Sequence, residues 1–232
     1  MRRSILGVLL LSGIFACDSI DSKQQTATTE KASEAAAASE PAEDKRKVIL
    51  FYGNSITAGY GLDISEAFPA VIQERLDSLG YEYHVINAGL SGETSAGGLS
   101  RIDWVLKTPV DIFSLELGGN DGLRGISLDE TEKNLSQIIE KVKQSNPQVK
   151  IIVAGMQIPP NMGQEYTDRF KGIFPMLAEK HSTALIPFIL EGVGGIPELN
   201  LPDGIHPTPE GHKMLADNVW AVLKPIIDED NI

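Results

Sequence analysis

The chain has 232 residues, a formal net charge of −12, 42% hydrophobic and 22% charged residues. That is ordinary globular composition, enough for one domain with a good core or two small ones. With an acid excess and no basic stripe, nothing could release counterions from phosphates, which argues against nucleic acid as a partner.

In chain order, Arg2 and Arg3 precede an apolar run from Ile5 to Ala16 with small residues near its end. This pattern predicts a secretory signal over 1–16, too short to span a bilayer as a mature helix. Its removal takes two positive charges and no acids, leaving −14. Cys17, the only cysteine, ends that run. "IFAC" resembles a bacterial lipobox, with Ile14 and Ala16 fitting and Phe15 bulkier than the pattern prefers. The resemblance implies a lipidated Cys17 at the mature N-terminus, hence an exported, membrane-anchored lipoprotein facing periplasm or exterior. One cysteine permits no disulfide within the chain, so the core holds by packing alone.

Residues 18–46 are rich in Ser, Thr, Ala, Glu and Lys and nearly free of large apolar groups. Such a segment cannot bury enough surface to offset its ordering entropy, which predicts a disordered tether over 17–46. As a coil it would span roughly 30 Å.

From Lys47, apolar strand-like runs alternate with helical periods. The strand candidates are 48–52, 83–88, 112–117, 150–155 and 184–188. Helix-period segments carry Phe68, Val71, Ile72, Leu76 and Leu79; then Leu128, Leu135, Ile138, Ile139 and Val142; then Leu215, Val219, Val222, Leu223 and Ile226. Five strands alternating with helices predict an α/β domain over 47–227, with a parallel sheet covered on both faces and a tail at 228–232. Ligands of such sheets bind beyond the carboxyl ends of the strands.

Three loops lie at such ends: "GNSITAGYG" (53–61), "NAGLSGETSAGG" (87–98) and "ELGGNDGLRG" (116–125). Each alone reads first as turn geometry or, for Ser55, as a helix cap, which are commoner uses of such residues than catalysis. A fourth element, "LPDGIHPTPEGH" (201–212), sets Asp203 three residues before His206, with Gly204 permitting a tight bend. Pro207 keeps His206 out of the α conformation, and Thr208 with Pro209 has the form of a helix start. A serine hydroxyl is a weak nucleophile until an imidazole accepts its proton and a carboxylate fixes that imidazole's tautomer. Ser, Asp and His on fixed loops therefore suit acyl transfer, provided N–H donors face the oxyanion.

These four blocks, in this order and spacing over 47–227, resemble those of the SGNH (GDSL) hydrolases. They are most similar to the bacterial thioesterase I, arylesterase and lysophospholipase subgroup. The resemblance implies a flavodoxin-like three-layer α/β/α sandwich with five parallel strands. It assigns Ser55 as nucleophile, Asp203 and His206 as acid and base, and Ser55, Gly92 and Asn120 as oxyanion donors. It also implies a substrate-contacting loop at Gly122 and Leu123, and a second at Ile158 and Pro159. The family's usual G-D-S becomes G-N-S here, with Asn54 in place of the aspartate.

Other candidates carry less. Ser91 in "GLSGE" lacks the G-x-S-x-G elbow spacing. Glu116 reads as a structural hydrogen-bonder inside a strand, Asp121 as a tie for its own turn, and His84, His181 and His212 as surface or core histidines. No metal-ligand spacing, dinucleotide fingerprint or Walker lysine is present, so the expectation is hydrolysis without metal or cofactor. The expected substrates are lysophospholipids, short to medium acyl esters and aryl esters, with thioesters as a further capacity. A carbohydrate O-acetyl esterase and a non-catalytic lipid-binding lipoprotein are the alternatives.

Overall fold

The computed structural model describes residues 45–230. The expected signal segment, Cys17 and nearly all of the tether lie outside the described residues.

Five strands, β1 (Lys47–Gly53), β2 (Tyr83–Gly89), β3 (Ile112–Glu116), β4 (Lys150–Ala154) and β5 (Ala184–Ile186), form one parallel sheet in the order β2-β1-β3-β4-β5. Strands covered on both faces need no polar side, so β1, β3 and β4 are near-continuous apolar runs buried along most of their length. The fifth strand stops short of the expected 188 because Pro187 has no N–H to donate to a ladder.

The helices are α1 (Ser55–Ala58), α2 (Phe68–Leu79), α3 (Ser95–Val105), α4 (Gly119–Leu123), α5 (Leu128–Ser145), α6 (Gln164–His181) and α7 (Pro209–Asp230). Right-handed crossovers place α2, which leads from β1 to β2, on one face of the sheet. The chain then winds the other way through α3, α5 and α6, which therefore cover the opposite face. The packing agrees: α2 lies against α7, and α5 lies against both α3 and α6. The result is the three-layer, flavodoxin-like sandwich implied by the family resemblance.

In α5, Leu135, Ile138, Ile139 and Val142 recur at helical spacing and are all buried. Each such side chain contributes roughly 1.5–3 kcal/mol. The last helix runs through Asp230, correcting the tail expected from 228. Its end is tied down by Tyr81 Oη donating to Asp228 (2.7 Å) and Tyr83 Oη donating to Asp230 (3.4 Å).

Beginning at β1, the chain winds first towards β2 and then reverses towards β3. The crevice outside the carboxyl ends of β1 and β3 is thus the topological switch point, where such sheets bind ligands. Ser55 follows β1 and Asn120 follows β3.

Candidate active site

The turn after β1 delivers Ser55 as the first residue of α1. Asn54 caps that helix, its side-chain oxygen accepting the Ile56 N–H at 2.9 Å. Close approach of β2 makes the turn tight: a Cβ on Gly89 would lie 2.3 Å from the Ala58 backbone nitrogen. Asn87 Nδ2 donates to the Thr57 carbonyl (2.9 Å) from the same strand.

His206 and Asp203 come from the far end of the chain. Between β5 and α7 the backbone closes a small loop through Leu201 N–H to His206 O (2.7 Å) and Gly204 N–H to Leu201 O (2.8 Å). Gly204 sits at φ +70°, the conformation this bend demands. Thr208 Oγ1 then accepts the Gly211 N–H (3.3 Å), starting α7 with Pro209 in its first turn.

These loops bring the three side chains together. Asp203 Oδ2 is 2.7 Å from His206 Nδ1, and His206 Nε2 is 2.9 Å from Ser55 Oγ. Asp203 Oδ1 also accepts the N–H groups of Ile205 (2.9 Å) and His206 (3.0 Å). The His206 backbone and ring bonds, followed by the Ile205 N–H, hold the Asp203 carboxyl down to about 2, below the usual carboxylate range. An ionised Asp203 only accepts, so Nδ1 carries the proton and Nε2 faces Ser55 as acceptor. The ring of Tyr60 lies over the imidazole, centroids 4.4 Å apart.

Asn120 lines the same cavity. It spends one N–H on the Glu93 carbonyl (3.0 Å), which leaves the second hydrogen of its amide. The Ser55 N–H lies in the first turn of α1, where backbone donors have no intrahelical acceptor. Gly92 sits in an exposed turn at φ +80° with its carbonyl accepting from Arg124 (3.1 Å), and does not line the cavity in this conformation.

The cavity has a volume of about 420 Å³. Of the residues assigned to substrate contact, Leu123, Ile158 and Pro159 line it and Gly122 does not. Gly122 is buried within α4, where a Cβ would fall 2.8 Å from the Phe170 ring and 3.0 Å from Ile158. The remaining apolar wall is Ile56, Met156, Phe188, Leu190 and Ile205, none of which was singled out in the sequence.

The GDSL-like lipase/acylhydrolase family matches residues 51–214, which include Ser55, Asn120, Asp203 and His206. The chain belongs to this family. It is 41% identical over 182 residues to esterase TesA of Pseudomonas aeruginosa, covering 78% of this chain and 90% of that one. It is 38% identical over 173 residues to an arylesterase of Vibrio mimicus (74% and 85%). It is 36% identical over 184 residues to the thioesterase 1/protease 1/lysophospholipase L1 of Escherichia coli (79% and 86%). A crystal structure of TesA superposes with a TM-score of 0.74 at 42% identity, covering 77% of this chain and 99% of that one. The protein is thus an esterase-type hydrolase on the GDSL fold.

Within this GDSL-family site the other candidates find structural work. Asp121, expected to tie its own turn, instead accepts from Ser95 N–H (2.8 Å), Ser95 Oγ (2.5 Å) and Thr131 Oγ1 (3.3 Å), joining α3 and α5 to the turn after β3. His212 is buried in α7, and its Nδ1 accepts the Phe68 N–H at the start of α2 (3.1 Å). Burial, with a smaller push from His206, lowers it to about 4, so it stays neutral. His181 is buried against Ser136 (2.8 Å), and burial lowers it too. Ser91 is exposed in the turn after β2. Glu116, fully buried, is pushed up to about 7 by burial against the opposing pull of the donors from Thr57 and Asn54.

Proposed function

We propose that the protein hydrolyses acyl esters through a Ser55-His206-Asp203 triad and an acyl-enzyme. The observation that carries this reading is the unbroken chain of contacts from Asp203 Oδ2 to His206 Nδ1 and from Nε2 to Ser55 Oγ. His206 takes the Ser55 proton as Oγ attacks the ester carbonyl, and Asp203 stabilises the imidazolium. The oxyanion falls to the Ser55 N–H and the Asn120 amide, with the Gly92 N–H as third donor by family correspondence. His206 returns its proton to the leaving alcohol, then activates the water that releases the acid.

The apolar wall of Leu123, Met156, Ile158, Phe188 and Leu190 suits the acyl chain, and a volume near 420 Å³ lies in the lower range of ligand pockets. Short to medium acyl esters, lysophospholipids and aryl esters fit this shape, and thioesters share the chemistry. Sequence features outside the described residues complete the proposal: a lipid anchor at Cys17 and a tether hold the domain at a membrane, on the periplasmic or outer side.

The test compares wild type with Ser55→Ala on a lysophospholipid, a medium-chain aryl ester and an acetylated glycan. Hydrolysis of the first two, lost in the variant, is expected. Release of acetate alone would favour a carbohydrate O-acetyl esterase, and no turnover of any substrate would leave a lipid-binding lipoprotein.

A further inference from the structure

Beneath the nucleophile turn lies a buried carboxylate that the triad chemistry does not use. Glu116 is the last residue of β3 and is 2% exposed. Its Oε2 accepts three donors: the N–H groups of Asn54 (3.2 Å) and Thr57 (3.3 Å) and the Thr57 hydroxyl (2.8 Å). Its Oε1 accepts Asn54 Nδ2 at 2.6 Å. The other end of that amide, Oδ1, caps Ile56 and lies 3.4 Å from Ser55 Oγ. A Cβ on Gly53 would fall 2.6 Å from Glu116 Oε2, so the turn closes directly over the carboxylate.

An amide has one accepting end and one donating end. Its orientation is therefore decided by a neighbour that faces it with one polarity, and both Glu116 oxygens face this turn as acceptors. We propose that Glu116 is a positioning residue for Ser55, its carboxylate turning the Asn54 amide so that Oδ1, not Nδ2, faces the helix cap and the nucleophile. Reversed, the amide would lose the Ile56 cap and aim an N–H at the Ser55 lone pairs that attack the ester. The three donors on Oε2 shape the turn, whereas the bond from Oε1 to Asn54 sets polarity. That division allows the two to be separated by experiment. The inference rests on Ser55 being the nucleophile.

The two sites can exchange amide and carboxylate with little change of shape. In Glu116→Gln the side-chain carbonyl can keep the Oε2 position, but its NH₂ then meets Asn54 Nδ2, donor against donor. In the double variant Asn54→Asp/Glu116→Gln, the new amide at position 116 donates to the new carboxylate at position 54, whose second oxygen faces Ile56 and Ser55. Steady-state kinetics on a soluble aryl ester are compared for protein folded at the assay temperature. Glu116→Gln is expected to lose about 10- to 100-fold in kcat with KM nearly unchanged, and the double variant to regain most of the loss. Wild-type kcat in Glu116→Gln, or a double variant as slow as Glu116→Gln, would overturn the proposal. If Glu116→Gln does not fold, Asn54→Asp alone replaces it as the comparison. That variant opposes two carboxylates and is expected to be slower than the double variant, and equal rates overturn the proposal. The nucleophile reading is separate: it fails if Ser55→Ala keeps its activity, and none of these outcomes touches it.

Discussion

Asp203 is held by three hydrogen bonds from a loop only four residues long, so its carboxylate is a fixed acceptor rather than a mobile surface charge. Since it stays ionised down to about pH 2, its role persists across any practical assay range. Asp203→Asn keeps the shape but offers an amide that no longer enforces the Nδ1–H tautomer. A fall in kcat of roughly 10²–10⁴-fold is expected, with ester KM little changed. Asn120→Ala removes a donor from the oxyanion and is expected to cost roughly 10²–10³-fold in kcat. The two are told apart by tautomer: histidine ring NMR changes in Asp203→Asn and not in Asn120→Ala. Asp203 was legible through the resemblance of its whole block, because a D-x-x-H pair is common and its spacing alone marks only a local bend. The cavity wall was not legible. Met156, Phe188 and Leu190 meet Leu123 only because loops after three different strands converge there.

At the scale of elements, two buried groups titrate against each other. His212, the acceptor for the start of α2, falls from 6.5 to about 4 on folding, so the unfolded chain binds more protons between those values and stability is lost as pH falls through them. Glu116 rises from 4.5 to about 7, so its folded form binds more protons and stability is lost as pH rises through that range. Each shift corresponds to something on the order of 3 kcal/mol. Between pH 4.5 and 6.5 the slopes oppose, and these two sites should contribute a nearly flat profile. His212→Asn can keep an acceptor for the Phe68 N–H but does not titrate, so urea midpoints should then decline as pH rises. In Glu116→Gln they should climb instead. Parallel profiles for wild type and both variants would contradict these assignments. The strands and α2, α5 and α7 were legible from apolar periodicity. The other two long helices were not: α3 contains "SAGG", the composition of a turn, and α6 carries Gly172 and Pro175 inside it. Their packing against α5 outweighs these poor helix formers.

For the whole molecule, topology explains why residues so far apart in sequence meet. In a parallel sheet every strand-to-helix loop emerges at one edge, and the reversal between β1 and β3 opens the crevice there. Block order was enough to anticipate this arrangement, because each block follows a recognisable strand or starts a helix. Depth and shape of the pocket depend on contacts between loops and had no sequence signal. The proposed anchor lies outside the described residues. Cys17→Ser is expected to move the protein from the membrane to the soluble fraction while kcat on a water-soluble ester stays unchanged, and a membrane-bound variant would contradict lipidation at that residue.

The proposed chemistry turns on acylation of the Ser55 hydroxyl. Treatment with a fluorophosphonate, followed by mass spectrometry of the peptides, addresses it directly. The adduct is expected on Ser55 at one per chain, strongly reduced in His206→Ala. An unmodified Ser55 in protein that turns over ester, or an adduct on another residue, would rule out Ser55 as the nucleophile.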